Sequence, residues 1–306
     1  MEAAYIEISD GRDTIPVSGI SFKESEGFKL AEEPEEIFDT EFSRATIPAG
    51  IGGRLGKTEV PVRHLVLPFN ITSEVYGGNE EIEAQVSRFR KLWGSHMQPR
   101  RVKWTYTSEG SGTRWLWLYL ESKIQFTVPH DWNTTGAVRA VVQAVAVEPR
   151  YESPPLVVEA QNPSAGEHIV WLPVWNPTDQ EAWPDWSLDP GTGAAQFTLP
   201  DFGFGREQDI DVTWTPGSHD DRGVRLVGID VPWSVRPVRS GDDPYIAADL
   251  SNASGQMGGV FLLYSIPPYT GTRTNPVYLP VTIDGPVSAK VRLTLRRFWS
   301  AESGLE

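Results

Sequence analysis

Hydrophobic and polar residues alternate with a period of two along most of the chain. Tyr5-Ile6-Glu7-Ile8 is followed by Asp10-Gly11 and then by Ile15-Pro16-Val17, a pattern that predicts an opening β-hairpin with Asp10-Gly11 in its turn. The same alternation predicts further strands in the first half, over residues 60–71, 101–106, 115–127 and 137–147. The pattern is typical of a mainly β protein.

The second half repeats this texture in shorter pieces. Turn residues separate the pieces at intervals of about 10 to 15 residues, the spacing of a β-sandwich or jelly roll. Strands are predicted over residues 167–175, 195–199, 210–214, 224–229, 260–266, 277–283 and 290–295.

One segment has helical spacing instead. Its apolar residues recur at intervals of four, three and four, and therefore share one helix face: Ile82, Val86, Phe89 and Trp93. Asn79 is a suitable N-cap, glutamates occupy the first turn, and cations occupy the last turns, where the helix dipole favours them. These features predict a helix over residues 79–93 that ends at Gly94.

Three segments lack either periodicity. Residues 24–40 are acidic and are interpreted as a solvated loop, and residues 48–57 carry four glycines and are expected to form a mobile segment. Prolines at 149, 154, 155 and 163 mark a change of texture. We therefore predict two domains, over residues 1–155 and 156–306.

Composition excludes several classes of protein. The chain of 306 residues has a net charge of −14, and both halves are acidic, so it lacks the basic surface that grips phosphate backbones. It has no cysteine, which excludes disulfides and thiolate metal sites. The first residues lack the basic and apolar regions of a signal peptide, and the apolar runs are too short to span a bilayer. These features predict a soluble protein that is made in the cytoplasm and does not insert into membranes.

Several segments, in order, carry a resemblance to a known family. A strand with a Leu67-Pro68 pattern precedes the predicted helix with its Arg-Lys-Leu-Trp end, and the aromatic strand 114–120 follows. The second half adds Trp175-Asn176-Pro177-Thr178-Asp179, then Pro276–Val281 and a closing Arg296-Arg297-Phe298-Trp299. Together they resemble the distal tail proteins of siphophages that infect actinobacteria, although the family has Gly where this chain has Thr178.

The resemblance implies a structural virion protein rather than an enzyme, without a cofactor. In this family a split β-barrel-like N-terminal domain with one α-helix forms a ring, usually a hexamer, that continues the tail tube and encloses the channel for DNA. A C-terminal jelly-roll or galectin-like sandwich projects outward. The implied partners are further copies of the chain, the tail tube, the tail-tip hub and side fibres; DNA passes without specific binding. A trimeric ring is the alternative.

Two further functions compete with the structural one. Carboxylate pairs such as Asp209 and Asp211 could serve a tail-associated hydrolase, but each pair sits beside turn residues, where solvated carboxylates are routine. The five histidines are scattered and predict no metal site. Four tryptophans lie close together, and Trp183 and Trp186 could form a carbohydrate platform that recognises the host surface. The competing interpretation is that Trp171 and Trp175 fill the core, with Trp183 and Trp186 capping it.

The basic residues concentrate at the end of the predicted helix and just after it. Helix-dipole complementarity or pairing with acidic neighbours explains this concentration better than contact with nucleic acid. In a ring, the acidic loop of one subunit could meet this patch on the next. The candidate ring contacts are therefore Arg88, Arg90, Gly52, Gly53, Glu35 and Glu36.

Overall fold

The chain folds into two compact units of mainly antiparallel β-structure. The computed structural model describes residues 4–19, 26–48, 53–75, 78–128, 131–237, 245–254 and 259–306. The first unit combines the residues up to Ser153 with Trp299–Leu305, and the second spans Pro154–Phe298. The predicted mainly β class is confirmed. The return of the last residues to the first unit is not anticipated by the sequence.

The residues of the first unit that the structure describes form fourteen complete strands and two helices, and a further strand begins among them. Their bounds are β1 Tyr5–Ser9, β2 Thr14–Ser18, β3 Phe28–Leu30, β4 Ser43–Pro48, β5 Gly53–Glu59, β6 Arg63–Thr72, β7 Glu74–Val75, β8 Gly78–Asn79, α1 Ile82–Trp93, β9 Gly94–Ser95, β10 Gln98–Pro99, β11 Arg101–Ser108, β12 Gly112–Leu120, β13 Gln125–Thr127, α2 Trp132–Thr135, β14 Ala137–Ala146 and β15 Tyr151–Gln161.

Antiparallel pairing joins these strands in two runs. The first run is β2-β1-β11-β12, and the β1–β2 pairing confirms the predicted opening hairpin. Asp10 holds its turn, because the carboxylate accepts hydrogen bonds from the amides of Arg12 and Asp13. The second run is β3-β6-β14-β13, and it meets the first where Tyr119 of β12 pairs with Val145 of β14. In this second run, β3 and β13 are the two edges.

Helix α1 packs its predicted apolar face into the core of the first unit. Ile82, Val86, Phe89 and Trp93 are all buried. The Phe89 ring lies 5.1 Å from that of Phe69 on β6. The predicted stop is also confirmed, since Gly94 ends the helix at a positive φ of 76°. The described helices are all too short to span a bilayer.

Three expectations for the first unit are wrong. The helix begins at Ile82 rather than at residue 79, because residue 79 belongs to a small ribbon, in which its backbone pairs with Glu74. The acidic segment is not loop throughout: Phe28 is buried in β3. The end of the glycine-rich segment is not a loop, because strand β5 begins at Gly53 and pairs with β4. Gly52 lies outside the described residues.

The described ranges of the second unit form two antiparallel sheets that share one hydrophobic core. Its own strands are β16 Gly166–Val174, β17 Pro184–Asp189, β18 Ala195–Pro200, β19 Gly223–Ile229, β20 Trp233–Val235, β21 Tyr245–Ala247, β22 Val277–Gly285 and β23 Lys290–Trp299. One sheet has the order β16-β22-β18-β19, and the other includes β23-β17-β20-β21. Phe197 and Val281 of the first sheet and Leu293 of the second belong to the same buried cluster.

Two of the predicted strands in this unit are wrong. Residues 210–214 form turns, in which the Asp211 carboxylate accepts a hydrogen bond from the Thr213 amide. Residues 260–266 are irregular, because the amides of Leu263 and Tyr264 donate to the buried Asp201 carboxylate instead of to a neighbouring strand. The proline-marked stretch after Glu148 contains strand β15, which continues through both Pro154 and Pro155.

Candidate functional site

An acidic loop lies along the outer edge of the second strand run in the first unit. It comprises residues 32–41, which include six carboxylates and no basic residue. The Glu35 amide donates to the carbonyl of Val66 on β6. All six acidic side chains are exposed: Glu32, Glu33, Glu35, Glu36, Asp39 and Glu41.

The backbone of this acidic loop is held from below by two buried side chains. Arg63, only 4% exposed, donates to the carbonyl of Phe38 at 2.7 Å and to the Thr40 hydroxyl at 2.6 Å. Burial lowers the pKa of Arg63 from its ordinary value, and its guanidinium lies over the Tyr151 ring. The Tyr151 hydroxyl donates to the Ile37 carbonyl at 2.5 Å. The loop is therefore ordered, not merely solvated, and presents its carboxylates outward.

The β4–β5 hairpin follows the acidic loop and carries unusually exposed apolar residues. Every residue of β4 is exposed, and the Leu55 side chain of β5 is 67% exposed. More exposed hydrophobic residues lie in and around the hairpin: Phe38, Phe42, Ile47, Val60 and Val62. A two-stranded ribbon is marginally stable by itself in water, and clustered exposed apolar residues mark interaction surfaces. The hairpin is thus a candidate interface.

Arg88 is bound within its own chain. Its guanidinium donates two hydrogen bonds to the Asp13 carboxylate, at 2.6 and 2.7 Å, and pairs with Glu26 at 2.6 Å. The hydrogen bonds from Arg88 hold the pKa of Asp13 below its ordinary value. The pair fastens the opening hairpin to the middle of α1, so Arg88 is a less suitable ring contact than the sequence suggested.

Replacing Arg88 by methionine should lower the free energy of unfolding by about 1 kcal/mol at neutral pH. The loss is modest because the side chains of Arg88 and Asp13 are each about one-third exposed, so water screens the pair. Since the pKa of Asp13 is depressed, its stabilising effect is complete above its ordinary value of 3.8 and is lost as the pH falls through the lowered value. Urea unfolding at pH 7 and pH 2 should show the difference shrinking in acid. Arg90→Met is the control, and an equal loss at both pH values would contradict the assignment.

A basic cleft of about 790 Å³ opens at the C-terminal end of α1. Four cations line this cleft and define it: Arg90, Lys91, Arg100 and Lys123. The one carboxylate in its lining is Glu121. Arg100 pairs with Asp10 at 2.5 Å, and Arg90 lies over the Phe126 ring of β13 at 4.6 Å. Within the described part of the chain, Arg90, Lys91 and Lys123 make no ion pair, so the cleft has excess positive charge in an acidic protein.

The tryptophans of the second unit are arranged differently from the expected platform. Trp186 is fully buried at the centre of the core, so its ring cannot stack on a sugar, and Trp183 is partly buried. The interpretation that Trp171 fills the core is also wrong, because its side chain is 58% exposed. Trp175 is partly buried beneath the Arg297 guanidinium.

Two exposed aromatic residues lie on the outer face of the β16-β22-β18-β19 sheet. Trp171 is the register partner of Pro280, and Tyr278, 56% exposed, is two residues from Pro280 on the same face. Ile169 beside them is 57% exposed and is the register partner of Thr282. This face combines aromatic rings with hydroxyl groups, and it was missed because strand alternation alone does not say which face is buried.

The buried carboxylates of the second unit have structural partners. Asp201 pairs with Arg222, and Glu207 accepts hydrogen bonds from the amides of Gly217 and His219 at 3.0 and 3.1 Å. Burial raises the pKa of Glu207, but the hydrogen bonds from backbone amides together have a larger, opposite effect. The pKa of Glu207 therefore lies below its ordinary value. A carboxyl that stays ionised in this way anchors a loop and is poorly suited to general acid catalysis. In the described ranges no group of three or more acidic or histidine side chains could hold a metal ion.

Comparison with solved structures gives a likeness across nearly the whole chain. The crystal structure of the Dit protein of phage SPP1 matches 96% of this chain and 99% of its own, with a TM-score of 0.52 and 10% identity. The chain has the fold of SPP1 Dit. A chain of the phage P2 baseplate, in its activated conformation with calcium, also matches with a TM-score of 0.52, at 7% identity over 96% of this chain and 98% of that one.

The likeness concerns fold and not sequence. SPP1 Dit is described as a paradigm of the hub adsorption apparatus of phages that infect Gram-positive bacteria. No protein-family model and no curated protein matches this chain. The likeness to SPP1 Dit therefore concerns the fold alone, and the surfaces described above belong to this chain.

Proposed function

We propose that the chain is a structural protein of a bacteriophage tail, where copies form a ring at the distal end. The observation that carries the proposal is the match of fold to SPP1 Dit over 96% of the chain, because it includes both units and not one common domain. Fold alone does not determine function, so the surfaces must also suit the role.

Two surface properties support a ring. The exposed β4–β5 hairpin offers apolar area that a neighbouring copy could cover, as in a head-to-tail contact between unlike surfaces. The net charge of −14 disfavours adhesion of DNA to the protein, which suits a channel through which a genome passes. In this proposal the ring has six copies, connects the tail tube to the tip and adsorption apparatus, and resides in the virion.

Light scattering over a range of concentrations, followed by negative-stain images, tests the ring directly. We expect closed rings with an open central hole; six copies would fit the proposal and three would revise the ring order. A single-copy mass at every concentration, with and without purified tail tubes as a template, would contradict it.

A charge on the hairpin should separate assembly from folding. Leu55→Asp is expected to abolish ring formation, because it places a carboxylate in the proposed apolar contact, while changing the unfolding free energy by less than about 0.5 kcal/mol, as for most exposed positions. Val212→Asp is the matched control, since Val212 is 82% exposed in the second unit. Rings that form equally well from both variants would remove the hairpin from the interface.

A second candidate function is carbohydrate recognition by the second unit. It is favoured by the exposed Trp171 and Tyr278 on one sheet face, since aromatic rings stack on sugars and neighbouring hydroxyl groups bind them. Binding to a glycan array and to purified cell walls should be lost in Trp171→Ala and retained in Trp183→Ala. Binding that survives loss of Trp171 would exclude this platform, and absence of wild-type binding to either substrate would exclude the function.

A further inference from the structure

We infer that the basic cleft of one subunit receives the acidic loop of a second copy of this chain. The inference rests on the proposed ring and specifies its contact. It uses two features defined above: the exposed carboxylates of residues 32–41, and the cations Arg90, Lys91 and Lys123 of the cleft.

The acidic loop and the basic cleft carry complementary charges. The loop concentrates six carboxylates without a basic residue, and the cleft carries three cations without an ion-pair partner in the described chain, beside a single carboxylate. That carboxylate, Glu121, is itself hydrogen-bonded to His64 at 3.0 Å. Opposite potentials on two surfaces steer association and set its register, whereas copies docked in any like-charged arrangement repel each other.

The acidic loop and the basic cleft lie at different edges of the second strand run. The acidic loop follows β3 and runs along the outer edge of β6, while Phe126 in the cleft belongs to β13. In the order β3-β6-β14-β13 these are opposite edges, with β6 and β14 between them. Strands β6 and β14 therefore separate the backbone of the acidic loop from Phe126 of the same chain. A donor surface and an acceptor surface at opposite edges are what a head-to-tail ring requires.

Both surfaces are already held in place within the single chain. Arg63 and Tyr151 fix the loop backbone before any partner arrives, and Arg90 is held over Phe126. Preformed surfaces lose less conformational entropy on association than flexible ones. Phe38 and Phe42, 57% and 62% exposed, flank the carboxylates and can add apolar area to the contact.

Charge reversal on each surface tests the contact. The loop variant E32K/E33K/E35K and the cleft variant R90E/K91E/K123E should each associate more than about tenfold more weakly than the wild type, since like charges then face each other. Mixed in equal amounts, the two variants should assemble again, because each reversed surface meets its complement. Only even-numbered rings can alternate the two chains throughout, so the mixture also separates six copies from three. Light scattering and native mass spectrometry measure both properties.

The control carries the same change of charge elsewhere. E109K/D209K/D221K reverses three exposed carboxylates outside the loop and should assemble like the wild type. Thermal unfolding of every variant checks that the chain folds.

The outcomes separate the contact from the ring. If the wild type forms rings and the two variants do so equally well, or their mixture does not recover, the contact is overturned and the ring stands. If the wild type associates into pairs or open chains but never into closed rings, while both variants are weakened and their mixture recovers, the contact stands and the ring fails. If neither associates at low ionic strength, both are overturned.

Discussion

Replacing Arg114 by alanine is expected to lower the free energy of unfolding of the first unit by about 3 to 5 kcal/mol, because it leaves backbone acceptors without donors and opens a cavity in the core. Arg114 on β12 is fully buried and lies 3.7 Å from the ring centre of Trp299. Its guanidinium donates to the carbonyls of Ala301 at 2.8 Å and Gly304 at 2.7 Å. The substitution would leave an empty volume and two carbonyls without these donors.

Urea unfolding followed by circular dichroism measures this loss. Arg139→Ala is the matched control, because Arg139 is exposed on β14 of the same unit. Removing residues 299–306 should cost more, since Trp299 also packs in the core and donates to the Ser153 hydroxyl, but adding Arg114→Ala to that deletion should cost little further because the contact is already lost. A loss below about 1 kcal/mol in Arg114→Ala would mean that the closing segment is only loosely attached.

The second large effect is expected at Trp186. Trp186→Ala should destabilise the second unit by about 3 to 5 kcal/mol, because removing a buried Trp side chain loses transfer free energy and leaves a cavity. Trp186 is 0% exposed on β17, between β23 and β20. The same substitution at Trp171, 58% exposed, should cost less than about 0.5 kcal/mol.

Thermal unfolding of the two tryptophan variants in parallel makes the comparison. Because the substitutions are chemically identical, the difference reports burial alone. Equal losses would contradict the assignment of Trp186 to the core and Trp171 to the surface, and would weaken the carbohydrate candidate.

Local patterns allowed part of the fold to be predicted. The opening hairpin followed from an Asp-Gly turn between alternating strands, and the buried face of α1 followed from its spacing. Residues 260–266 alternate as a strand would, yet the amide of Leu263 binds the carboxylate of Asp201, 62 residues away, a contact that no local pattern records. Strand β15 was missed because Pro154 and Pro155 predict a break, although the fixed φ of proline is compatible with an extended strand.

The candidate surfaces were predictable only in composition. The acidity of residues 32–41 and the cations near the end of α1 are visible in the sequence. The fixed backbone of the acidic loop, however, depends on hydrogen bonds from Arg63 and Tyr151, which are distant from it in the chain. Arg88 and Arg90 look equivalent in sequence, and only the structure separates the one bound to Asp13 from the one in the cleft. Both faces of β16 carry apolar residues, so alternation could not say that Trp171 points outward.

The division of the chain also sets an order for its synthesis. The second unit is an insertion between Ser153 and Trp299 of the first, so the ribosome makes all of it before the segment that Arg114 anchors emerges. At common translation rates this interval lasts roughly 7 to 30 seconds. The first unit can complete its packing only after the whole second unit has been synthesised, because Trp299 belongs to the hydrophobic core of the first unit.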